Sequence, residues 1–135
     1  MSFYKWDPAV LSVYVQSMDD EHQVLIDKMN LIYDADKEGA SVEKIKTLVL
    51  DLVDYTKKHF ADEEKYMEEI KFDGLKTHKI IHQQLLDQVS LHVNELSRTG
   101  KLTDQFFNFL KVWLTSHIKG IDMKYGVLSK KNQAS

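Results

Sequence analysis

Between Asp19 and His117 the apolar residues return at steps of three and four, in four separate stretches. The first carries His22, Leu25, Ile26, Met29, Ile32 and Tyr33 on one stripe, with Asp19 placed to cap its start and Gly39 to stop it. Ser41 can cap the second, whose inward set is Ile45, Leu48, Val49, Leu52, Thr56, His59, Glu63, Met67 and Ile70 up to Asp73-Gly74. The third holds Leu75, His78, His82, Leu85, Val89, His92 and Leu96, and Gly100 stands where a left-handed C-terminal cap belongs. Thr103 opens the fourth, with Phe106, Phe109, Leu110, Trp113, Leu114 and His117 inward until Gly120 interrupts it. Residues 1–17, with the only proline, read as an extended, irregular arm, and residues 119–135 as a tail that turns polar after Gly126. Short connections make successive helices antiparallel neighbours. The expected fold is all-α: one domain over residues 1–135, an up-down-up-down antiparallel four-helix bundle (about 18–118) with an extended N-terminal arm.

The stripes contain residues that a plain core would not choose. His59 and Glu63 are four apart, as are His78 and His82. On an α-helix such pairs lie about 40° apart round the axis and roughly 6 Å along it, so both side chains address one target. In the expected topology His22, His59, Glu63, His78, His82 and His117 all come to one end of the bundle, within about 15 Å along the axis. Asp122 follows His117 by five residues, which on a regular helix turns it about 140° away. Gly120 lies between them and can absorb a break or a wider turn that swings the carboxylate back. His92 shares the third stripe but sits about 15 Å beyond His82, too far to join the others, and reads as a core-edge histidine.

Composition narrows the chemistry. The chain has no cysteine, which excludes disulfides, thiolate zinc sites and iron–sulfur clusters and leaves His, Asp and Glu as donors. Imidazole with carboxylate favours a first-row transition ion such as iron or zinc. Five histidines and two carboxylates exceed what one ion accepts, so the set points to two metals bridged by the carboxylates. The 18 basic and 21 acidic residues are interspersed and the net charge is −3, which leaves no basic face for nucleic acid. No apolar run reaches the length of a membrane span, and the N-terminus lacks an apolar signal core; the expectation is a cytoplasmic protein without membrane insertion.

The combined series Asp19-x-x-His22, His59-x-x-x-Glu63, His78-x-x-x-His82 and His117-x-x-x-x-Asp122 resembles the hemerythrins, in particular the single-domain bacterial ones. Trp6, Phe60, Trp113-Leu114 and Asp122-x-x-Tyr125 extend the likeness over nearly the whole chain. One departure is Tyr14, where that pattern calls for glycine between two apolar residues. The resemblance implies two iron ions in a non-haem, oxo/hydroxo-bridged di-iron centre. It implies that His78, His82 and His117 hold one iron and His22 and His59 the other, with Glu63 and Asp122 bridging. One position on the His22/His59 iron would stay open for dioxygen. Leu25, Phe60, Trp113, Leu114 and Ile118 fall at the level of that open iron and would together make a dry oxygen pocket, while Tyr125 and Asp19 are expected as supporting or capping groups. The implied activity is reversible dioxygen binding for oxygen transport or storage, with an oxygen-consuming enzyme as a recipient and no catalytic residue. The alternatives are an oxygen or redox sensor acting through a partner protein, a di-iron enzyme acting on peroxide or nitric oxide, and a metal-free helical interaction module.

Overall fold

Two hydroxyl side chains and one glycine fix the bundle's corners. The Ser41 hydroxyl accepts from the Lys44 N–H at 3.2 Å and the Thr103 hydroxyl from the Phe106 N–H at 3.3 Å, each satisfying a donor that a helix start leaves free. Gly100 takes φ 73°, the left-handed conformation that lets its N–H reach the Leu96 carbonyl and close a helix end. The computed structural model describes residues 3–134, and among these the elements are α1 (Pro8–Leu11), α2 (Gln16–Lys37), α3 (Val42–Glu69), α4 (Leu75–Thr99), α5 (Asp104–His117), a π-helical turn (Ile118–Asp122) and α6 (Met123–Ala134). Helix α3 packs against α2 on one side and α4 on the other, and α5, the π-turn and α6 form one continuous fourth rod. The result is a four-helix bundle with an N-terminal arm. Among the described residues no helix is long and apolar enough to cross a membrane.

The stripes pack as their spacing requires. Leu25, Met29 and Ile32 of α2, Val49, Leu52 and Met67 of α3, Leu96 of α4 and Leu110 and Leu114 of α5 are buried in a single cluster. The arm departs from the irregular course expected of it, because Pro8 opens a single helical turn that Asp7 caps through a bond from the Ala9 N–H. It is tied down at Tyr4. The Tyr4 N–H donates to Asn30 Oδ1 at 2.8 Å, Asn30 Nδ2 donates back to the Tyr4 carbonyl at 2.7 Å, and the Tyr4 hydroxyl bonds that of Thr115.

Helix α2 begins at Gln16, earlier than its expected cap at Asp19. Asp19 instead lies within the helix and is buried, where its carboxylate accepts from the Ser12 hydroxyl at 2.6 Å and the Val13 N–H at 2.9 Å. It pins the arm rather than starting the helix. Residues 119–134, expected as a tail, continue the fourth rod helically and bury Asp122, Tyr125 and Ser129. Gly126 lets α6 pass close to the arm, since a Cβ there would stand 2.4 Å from the Val13 carbonyl oxygen.

Candidate metal centre

Helix α3 carries His59 and Glu63 one turn apart, and α4 carries His78 and His82 in the same relation. Helix α2 adds His22 and the last residue of α5 adds His117. Asp122 arrives by the π-turn, in which the Met123 N–H bonds the Ile118 carbonyl five residues back. The wider turn adds one residue to the circuit, and Asp122 points inward with no exposed surface. Gly120 supplies no special backbone angle for this, and a side chain there would meet open space. The widening expected from its flexibility therefore does not depend on glycine. All seven side chains are buried.

The two carboxylates divide their oxygens between two groups of imidazoles. Glu63 Oε1 faces His82 Nε2 at 2.9 Å and His78 Nε2 at 3.3 Å, while its Oε2 faces His59 Nε2 at 3.5 Å and His22 Nε2 at 3.6 Å. Asp122 Oδ1 lies 2.9 Å from both His78 Nε2 and His117 Nε2, and its Oδ2 lies 3.2 Å from His22 Nε2. Two clusters result: Glu63, His78, His82, His117 and Asp122, and His22, His59, Glu63 and Asp122, each with its donor atoms within 4.8 Å of one another.

The chemistry of the set fits divalent metal. Both oxygens of Asp122 and the Nε2 atoms of His22, His78 and His117 are buried without a hydrogen-bond partner, which is costly unless a cation accepts their lone pairs. Two rings are oriented for this from behind. His59 Nδ1 donates to Glu21 Oε1 at 2.7 Å and His82 Nδ1 to Glu64 Oε2 at 2.8 Å, which leaves each Nε2 lone pair facing inward. Glu63 Oε2 also accepts the Tyr125 hydroxyl proton at 2.7 Å. Burial, with the charges of Glu63 and Asp122 beside it, pushes the Tyr125 phenol well up, so it remains an O–H donor.

Without metal, protons take the cation's place. Burial alone would strip the charge from His22 and His78, but the carboxylates of Asp122 and Glu63 that face their rings outweigh it and push both up to about 9. Against the same cost of burial, the surrounding histidines hold Glu63 and Asp122 below the usual carboxylate range.

The five apolar residues expected around the centre, Leu25, Phe60, Trp113, Leu114 and Ile118, are all buried. Phe60 stacks flat on His82, with ring centroids 3.7 Å apart and planes 4° from parallel, and stands 5.9 Å from His59, so it borders both groups; Trp113 meets Phe60 edge-on at 6.2 Å. His92 packs at the bundle's other end on Phe109 and Phe106, at 4.8 and 5.5 Å. Glu21 and Glu64 were not anticipated. Their only signal in the sequence is adjacency to His22 and Glu63, and charged residues beside a helix stripe ordinarily face water.

The family profile described as hemerythrin HHE cation binding domain matches residues 13–128. A myohemerythrin of Riftia pachyptila is 34% identical over 122 residues, covering 90% of this chain and 90% of that protein. A bacteriohemerythrin of Pseudomonas paraeruginosa is 31% identical over 115 residues, covering 85% of this chain and 74% of that protein. Among solved structures, a wild-type hemerythrin crystal structure superposes with a TM-score of 0.83 at 25% identity, covering 92% of this chain and 95% of the other.

Proposed function

The chain belongs to the hemerythrin family, which binds dioxygen at a non-haem di-iron centre, and we propose that it is a reversible oxygen carrier or store that delivers to an oxygen-consuming enzyme in the cytoplasm. His78, His82 and His117 would hold one iron, His22 and His59 would hold the other, and Glu63 and Asp122 would be shared between them. The carrying observation is the inequality of the two clusters, three imidazoles against two around the same pair of carboxylates. The two-histidine side is one donor short, and that is where a small ligand enters. When bound there, ferrous iron would supply the electrons that hold dioxygen reversibly.

The protein's own residues keep this exchange reversible. Five neutral imidazoles bring fewer negative charges to the irons than the four Glu and two His of carboxylate-rich di-iron sites, which disfavours high-valent iron and cleavage of the oxygen bond. Glu21 and Glu64 fix the rings of His59 and His82, and Tyr125 holds Glu63 by its outer oxygen. Leu25, Leu114 and Ile118, each at most 1% exposed, exclude water from the cluster.

The test is to load the protein with ferrous iron without oxygen, admit oxygen and remove it again. The expected result is two irons per chain and a visible band that appears and disappears. His82→Leu loses iron, and His92→Leu keeps both irons and the band. Irreversible conversion to the ferric form would favour a sensor or an enzyme acting on peroxide or nitric oxide, and one iron per chain would remove the di-iron reading.

A further inference from the structure

A ring that turns Nε2 to the centre needs a partner for the nitrogen on its other side. His59 and His82 have theirs in Glu21 and Glu64. His22 and His78 do not, since the Nδ1 of each is buried without a hydrogen-bond partner, and an N–H left so is costly. His22 has no exposed surface, whereas the His78 ring borders a surface depression of about 170 Å³ where the α3–α4 turn and the first turns of α4 meet the π-turn and α6. His78 Nε2 faces Glu63 Oε1 at 3.3 Å and Asp122 Oδ1 at 2.9 Å, so the ring offers the depression its outer half, which carries Nδ1.

Two further features make this depression attractive to negative charge. Gly74 at the start of α4 supplies no side-chain cap and the first turn holds no acidic residue, so the N–H groups and partial positive charge of a 25-residue helix stay free for an anion. From the opposite wall comes Lys124 of α6, which is exposed. Among the described residues the lysine and arginine ion pairs are those of Lys28, Lys58 and Arg98, and Lys124 forms none. The remaining walls are largely apolar, with Phe72, Ile81 and Ile121 on them.

We propose that the depression binds a small monocarboxylate with a short apolar tail, of the size of butyrate, whose head accepts from His78 Nδ1 and pairs with Lys124 while its tail lies on Phe72, Ile81 and Ile121. Bound there, it stands behind His78 as Glu64 stands behind His82. The walls select against inorganic phosphate, whose further charged oxygens would lose water against apolar side chains without gaining partners. The consequence, though not the site, rests on the iron-holding role set out above: the three-histidine cluster keeps its metal 10–100-fold more tightly when the acid is present, the usual effect of a carboxylate behind a metal-facing imidazole. The hold on iron thus follows the supply of a short-chain acid.

The test is calorimetric titration of the iron-loaded protein with butyrate and with inorganic phosphate, at fixed pH and ionic strength, with iron and helical content measured on every sample. One butyrate should bind per chain without altering the visible spectrum, and phosphate should give no heat. Lys124→Gln, at an exposed position, should weaken butyrate about tenfold, the loss of one charged partner. With butyrate saturating, the phase of iron release to a chelator that Glu64→Gln accelerates should slow at least tenfold, and the other phase should not change. Absence of butyrate binding, equal binding by Lys124→Gln, phosphate binding in its place, or a spectral change as butyrate fills the open iron position would overturn the site. An unchanged release rate would overturn its effect on the centre. One iron per chain, with butyrate bound and dependent on Lys124, would overturn the di-iron reading and leave the carboxylate site standing.

Discussion

Glu21 and His59 are joined at 2.7 Å from carboxylate Oε1 to ring Nδ1, across the α2–α3 seam, and this bond sets which nitrogen of His59 faces the centre. His82 of α4 has the same support from Glu64 of α3, again from the preceding helix. The two carboxylates therefore serve different clusters. Loss of such a supporting carboxylate typically weakens metal binding 10–100-fold. Glu21→Gln should release iron faster from the two-histidine cluster, and Glu64→Gln from the three-histidine cluster. Release to a chelator, followed as two phases, checks this. Identical acceleration of both phases by either variant would show that the supports are not specific to a side.

Leu114 is 1% exposed and lies one turn before His117 on the same face of α5. Leu114→Ala should still form the oxygen-dependent band, but the band should fade faster than in the wild type because water reaches the centre. The cavity should also cost stability on the order of 2–5 kcal/mol. Decay at fixed pH, with melting measured separately, distinguishes the two effects. An unchanged decay rate in a destabilised protein would reduce Leu114 to packing.

The iron-free protein should be most stable in mildly acidic solution. His22 and His78 stand at about 9 when folded against 6.5 unfolded, so their contribution is complete below pH 6.5 and is lost as pH rises through about 9. Glu63 and Asp122 are lowered from 4.5 and 3.8, so theirs is present above those values and is lost as pH falls below them. Iron must displace the two imidazolium protons, and its affinity should climb across the same upper window. Melting of the iron-free protein between about pH 5 and pH 10 tests the sign. A melting temperature that stays flat or rises above neutrality would mean the histidines are uncharged.

Tyr14 takes φ 62°, a conformation that costs a non-glycine residue about 1–2 kcal/mol, and the Lys130 ammonium over its ring at 4.3 Å returns about 0.5–1 kcal/mol of this. Tyr14→Gly should therefore stabilise the protein slightly, by up to about 1 kcal/mol. Gly126→Ala should do the reverse by more than about 1 kcal/mol, because its Cβ would stand 2.4 Å from the Val13 carbonyl oxygen and the arm would have to move. Denaturant unfolding of both variants measures this. A loss of stability in Tyr14→Gly would mean that the Lys130 contact outweighs the strain.

The four helices were legible because histidines and leucines share the same three-and-four spacing, and Ser41, Gly100 and Thr103 act locally, with chemistry that needs no tertiary context. The gathering of His22, His59, His78, His82 and His117 followed from counting turns in an antiparallel bundle. Asp19 misled because its side chain suits a helix start, yet Ser12 and Val13 compete for it through contacts that only the folded arm creates. Glu21 and Glu64 were hidden for a related reason. A carboxylate that leans back onto an imidazole has the same sequence signature as one facing water. The glycine expected at position 14 had a physical basis, since the backbone there is left-handed.

The π-turn makes the fourth rod a screw with one slipped thread. Ahead of it the inward positions are 106, 107, 110, 113, 114 and 117; from its first residue onward they are 118, 122, 125, 126 and 129, a series displaced by one residue from the one that α-helical counting would continue. Every buried group beyond the slip depends on that single extra residue for its phase. Removing any one residue from 118–121 would restore α-helical rotation and turn Asp122, Tyr125 and Ser129 away together, by about 100°. The Asp122 carboxylate, the phenol that bonds Glu63 and the hydroxyl that bonds Tyr66 thus behave as one unit of inheritance, gained or lost in a single insertion or deletion.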